Sequence, residues 1–131
     1  MAIFCRGRDV RQEVSLQLEQ AEENGLISAD EYTQVLAADL LWRGRMKQQE
    51  QTTTLVIEVS WLAEQTDLTR AATRASILQR IGLHAVPVVA AREWPVEMRQ
   101  AAQQQGILLV EQFNIEKQSW QFALATTAND N

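Results

Sequence analysis

The chain has 131 residues, 46% of them hydrophobic and 22% charged, with a net charge of −5 and one cysteine, Cys5. That length suits one domain able to bury a core without covalent staples. The lone thiol excludes an intrachain disulfide, no apolar run is long enough to span a membrane, and the acidic balance counts against a dedicated DNA-binding surface.

The opening Met1-Ala2-Ile3-Phe4-Cys5 is too short an apolar stretch for a signal peptide, and Arg6 and Arg8 interrupt it. The expected location is cytoplasmic. Asp9 can cap a first helix running to about Asn24, with Val10, Val14, Leu18 and Ala21 on one stripe and Asn24-Gly25 as its stop. Ser28-Ala29-Asp30-Glu31 has the form of a capping box and opens a second helix through about Ala37. Residues 1–37 are therefore expected as helices packing on or beside a core.

A β-hairpin follows. Its first arm is Asp39-Leu40-Leu41-Trp42-Arg43, its second the β-branched run from Thr53 to Trp61, and the polar stretch Met46 to Gln51 suits the tip. Folding about Gln49 sets Asp39 opposite Val59, between Glu58 and Ser60. Directly opposed residues have Cβ atoms about 4.5–5.5 Å apart, and diagonal neighbours about 7–8 Å. Leu55, Ile57, Val59 and Trp61 make one apolar face, so Thr54, Val56, Glu58 and Ser60 point the other way. A lone acid in such a strand is costly to bury unless it is paired or bound to metal. The plain alternative is a solvated face on which Glu58 is a surface residue. Two carboxylates converging at strand ends form a hard-oxygen site for Mg²⁺ or Mn²⁺.

Thr66 or Asp67 can cap the next helix, in which Leu68, Ala71, Ala72, Ala75, Leu78 and Ile81 recur at helical spacing before Gly82 ends it. Arg70 and Arg74 lie one turn apart on it. Ala85-Val86-Pro87-Val88-Val89-Ala90 then has strand length, so strand, helix and strand form a βαβ crossover, parallel and right-handed. Pro87 requires an edge, a bulge or an unpaired position there. Trp94-Pro95 opens a further helix that Gly106 ends, and Ile107 to Val110 reads as another buried strand. The tail, 112–131, holds Ser119-Trp120-Gln121-Phe122-Ala123-Leu124, whose alternation permits an added strand or a partner contact. With the stripe of the first helix, that tail strand argues for a homodimer.

Hairpin and crossover, with acids on the two hairpin strands and arginines on the helix, resemble the PD-(D/E)XK nuclease superfamily. Asp39, within Ala37-Ala38-Asp39-Leu40, matches the aspartate of that family's second core strand. Glu58 matches the (D/E) of the next strand, and Ser60 falls where the family usually has lysine. Ala38 to Arg45, Val56 to Trp61 and Leu83 to Ala90 are similar to a group of largely uncharacterised bacterial proteins in that superfamily, whose members also tend to show serine at this position.

The resemblance covers residues 25 to 111. It implies a restriction endonuclease-like core over 38–111: an α/β fold in which an antiparallel hairpin continues into parallel strands, helices lie on the faces, and the Glu58 strand is central. It further implies phosphodiester hydrolysis of DNA or RNA, with Asp39 and Glu58 holding Mg²⁺ or Mn²⁺ and Ser60, Arg70 and Arg74 beside them. From Leu40 to Arg92 seven basic residues face four acidic ones, a local balance of +3 that leaves nucleic acid a feasible partner. Ser60 carries no charge, so such an enzyme would be weak or selective. The alternative is a catalytically silent nuclease fold serving as an interaction or assembly module. His84, the only histidine, lacks the partners of a zinc site and reads as structural.

Overall fold

The computed structural model describes residues 4–46 and 52–111. In chain order these form β1 (Phe4–Asp9), α1 (Arg11–Glu23), α2 (Ala29–Leu36), β2 (Leu40–Met46), β3 (Thr52–Leu62), α3 (Gln65–Arg80), β4 (Ala85–Glu93), α4 (Val96–Gln104) and β5 (Leu108–Val110). The strands make one mixed sheet in the order β1-β2-β3-β4-β5. β1, β2 and β3 are antiparallel neighbours, whereas β4 runs parallel to β3, and β5 to β4. The strand carrying Glu58 is thus the middle one of five. The fold is mixed α/β, with the hairpin and the parallel crossover where their patterns place them.

The expectation of helices alone before the hairpin differs from what forms. Phe4–Asp9 is a strand at the sheet edge, paired with β2. Its two arginines, glycine and aspartate conceal it, because edge strands tolerate charge that a central strand would not. Asp9 still serves the first helix: its Oδ1 accepts the Arg11 N–H at 2.8 Å, although Val10 is the cap residue itself. The Ser28–Glu31 capping box has both reciprocal bonds. The third helix begins earlier than Thr66 or Asp67 indicate. Glu64 is its cap, and Asp67 acts from within by accepting the Glu64 N–H at 2.9 Å. Gly25 and Gly82, at φ of 76° and 97°, stop α1 and α3 in the left-handed region.

The strand alternation sorts the core into two faces. On one, Leu41 and Val56 join Val14 and Leu18 of α1, Val35 of α2, and Ala75 and Leu78 of α3. Farther along that face Val89 and Ala91 join Leu68 and Ala71 of α3 and Ala102 of α4. All four helices therefore pack on this face, where helices on both had been expected. The opposite face clusters Trp42, Leu55, Ile57, Val88, Ala90 and Val110, strand residues only. The stripe Val10, Val14, Leu18 and Ala21 is buried inside the protomer, so it offers nothing to a second copy. Trp120, Phe122 and Leu124, the other ground for a homodimer, lie outside the described residues, as does the whole 112–131 tail.

β4 is flanked on both sides, yet Pro87 is accommodated. The His84 carbonyl accepts the Thr54 N–H at 2.8 Å. Alternation from that bond turns the missing Pro87 amide toward β5, whose ladder starts one residue later at Val88.

Candidate functional site: a carboxylate pair and a buried arginine

β3 reaches beyond the start of β2, and the site lies at that step. The hairpin register pairs Leu40 with Ile57 and Gly44 with Thr53. It is one residue away from the register obtained by folding about Gln49, so its continuation puts Asp39 across from Glu58 rather than Val59. Asp39 then shares the helix-covered face with Glu58, as Leu41 does with Val56 two residues along. The exposed Asp39 carboxylate accepts the Val59 N–H through Oδ2 at 2.8 Å, satisfying an amide that β2 does not reach.

Arg11, which the sequence does not single out, holds the turn that presents Asp39. Its guanidinium donates to the Leu36 carbonyl, to the Ala38 carbonyl at 2.6 Å and to the Asp39 carbonyl at 3.2 Å. These are carbonyls at the end of α2, where a cation is favoured by the helix dipole as well as by the bonds.

Glu58 is 4% exposed and Arg74, from α3, is 7% exposed. Arg74 Nη1 stands 2.8 Å from Glu58 Oε2, and its Nε donates to Gln34 Oε1 of α2 at 2.9 Å. The ion pair is short but off-line, since Oε2 accepts no well-directed hydrogen bond. Burial raises the Glu58 pKa above the ordinary carboxylate value. The close contact and charge of Arg74 oppose that rise, as does the Asp39 backbone N–H, while the negative charge of Asp39 adds to it.

Of the residues read from the sequence as candidates, the fold brings Asp39, Glu58 and Arg74 together. Arg70 is exposed on α3 and takes no part in this network. Ser60 is half-buried, and its hydroxyl donates to the Leu62 carbonyl at 2.8 Å, a bond within its own strand end. Lys47 and Lys117 lie outside the described residues. His84 accepts or donates through Nδ1 to the Thr53 hydroxyl at 2.8 Å, which ties β4 to β3.

Gln34 has no sequence signature, but Arg74 has one. It follows Ala71 by three residues and precedes Leu78 by four, so it falls on the apolar stripe of α3. A cation on that stripe and an acid in an apolar strand are mutual candidates for a buried pair.

Among the described residues no three His, Cys, Asp or Glu side chains come together. Asp39 and Glu58 nevertheless have the donor chemistry for a hard cation, and Glu58 Oε2 is a buried oxygen short of a directed partner. Mg²⁺ commonly takes one or two carboxylates and completes its shell with water and phosphate, so the pair fits such an ion. No described helix is long and apolar enough to cross a membrane. No protein-family profile, curated protein or solved structure matches the chain.

Proposed function

We propose that the domain is a divalent-metal-dependent phosphodiesterase of the PD-(D/E)XK type, weak or selective, acting on DNA or RNA. The observation that carries this reading is the convergence of Asp39 and Glu58 on one face of adjoining strands, close enough for the charge of one to act on the other. The central position of β3 and the parallel crossover into β4 support it.

Mg²⁺ or Mn²⁺, when bound, supplies Lewis-acid polarisation of a phosphodiester and a more acidic water. The protein's part is to aim the ligands. The Val59 N–H orients the Asp39 carboxylate, Arg11 holds the turn behind it, and Arg74 fixes Glu58. Ser60 stands where lysine is usual and bonds to Leu62, so among the described residues the side-chain cation paired with the Glu58 carboxylate is Arg74. Arginine stabilises phosphate charge but does not act as a base at ordinary pH. Slow or substrate-restricted cleavage follows.

The competing reading, a silent nuclease fold used for protein interaction, draws on the same arginine, because the Glu58–Arg74 pair is already neutral and shielded. Single-stranded, double-stranded and branched DNA, and RNA, incubated with Mn²⁺ separate the two. Cleavage lost in Asp39→Ala and Glu58→Ala supports the enzyme. Cleavage unchanged in both variants would sink the assignment. Absence of both calorimetric metal binding and cleavage would favour the interaction module.

A further inference from the structure

We propose that Arg74 is a resident counter-charge that competes with a divalent cation for Glu58, and so sets the metal affinity of the site. This rests on the reading that Asp39 and Glu58 take such a cation. Three observations carry it. Arg74 Nη1 lies 2.8 Å from Glu58 Oε2, an oxygen with no hydrogen bond besides this ion-pair contact, so guanidinium and cation would meet on the same atom. The guanidinium is held there by a second contact, Nε to Gln34 Oε1 at 2.9 Å, so it does not simply swing into solvent. Both partners are shielded, with side-chain exposures of 8% and 5%, so water screens their charges little.

The charge count shows the consequence. Asp39, Glu58 and Arg74 together carry −1, so a bound divalent ion would leave the cluster at +1. Without Arg74 the same ion meets −2 and leaves the cluster neutral. A cation on a carboxylate oxygen sits about 2.0–2.1 Å from it. It would then stand within a few ångströms of Nη1, where repulsion between a divalent ion and a guanidinium weakens binding by well over about tenfold. The pair thus keeps Glu58 ordered while holding a positive charge where the metal would bind. Occupancy requires the guanidinium to leave the carboxylate, and a phosphodiester is an anion whose geometry suits an arginine fork.

The test is calorimetric Mn²⁺ titration of the full chain without nucleic acid, with circular dichroism to confirm folding. Arg74→Gln is expected to bind Mn²⁺ about tenfold or more tighter than the wild type. Arg74→Lys, which keeps the charge, is expected to stay within about threefold of it. Adding Asp39→Asn to Arg74→Gln should remove the gain. A merely structural arginine would lower the affinity or leave it unchanged when replaced, and either result overturns the inference.

If Arg74→Gln does not fold, Gln34→Ala releases the guanidinium from the exposed side of α2. It should tighten binding by about threefold, and an unchanged affinity there also overturns the inference. Tighter binding in Arg74→Gln without cleavage by any protein keeps the inference and removes the nuclease reading. Wild-type cleavage with an Mn²⁺ affinity equal in both proteins does the reverse. No Mn²⁺ binding by any variant removes the cation site itself.

Discussion

Replacing Arg74 with methionine keeps most of the side-chain volume and the helix propensity of α3 while deleting the charge that faces Glu58. Glu58, 4% exposed, keeps burial and the Asp39 charge, which push its pKa up against only the Asp39 backbone N–H, and loses the Arg74 contact that pulls it down. Breaking a buried pair on one side costs about 3–5 kcal/mol, a large part of the about 5–15 kcal/mol that holds such a domain folded. The double variant Arg74→Met/Glu58→Leu removes both charges and should recover most of that loss, because a well-packed apolar pair is often neutral or better.

The cost of Arg74→Met alone should also depend on pH, with a definite sign. A carboxyl whose folded pKa lies above its unfolded value contributes stability while protonated and loses it as pH rises through the folded value. The deficit should therefore be larger at pH 8 than at pH 5. Urea unfolding of wild type, both single variants and the double variant at these two pH values gives the whole cycle. A cost for Arg74→Met under about 1 kcal/mol, or one that does not grow with pH, would show the pair to be solvated and refute the reasoning.

Leu78→Ala, at a fully buried position of α3 in the core it shares with α2 and β3, should cost about 2–5 kcal/mol and lower the melting temperature by roughly 10 °C. Trp94→Phe removes a buried indole donor from the Val110 carbonyl, 3.0 Å away, and should cost about 1–3 kcal/mol in denaturant unfolding. Glu31, its pKa lowered by a hydrogen bond from Arg80 and by the Ser28 backbone, contributes stability above its unfolded pKa. That contribution is lost as pH falls through the lowered folded value, so the difference between wild type and Glu31→Gln should vanish in acid; a constant difference would contradict the assignment.

Several elements are legible in the residues themselves because their causes are local. The Ser28–Glu31 box, the glycine stops at Gly25 and Gly82, the β-branched run of β3 and the alternation that isolates Glu58 depend on neighbours within a few positions. The same local pattern puts Arg74 on an apolar helix stripe, which marks it as a charge in need of a partner.

What the tertiary structure alone decides is where distant segments meet. β1 exists because β2 offers it an edge, not because its own residues favour a strand. The hairpin register moves by one residue from the tip-based estimate, since the core pairs Leu41–Val56 and Leu40–Ile57 settle it more firmly than a polar tip does. Arg11, Gln34 and Arg74 come from three different helices. Their meeting around Asp39 and Glu58 follows from packing those helices on one face of the sheet, and no spacing along the chain encodes such a meeting.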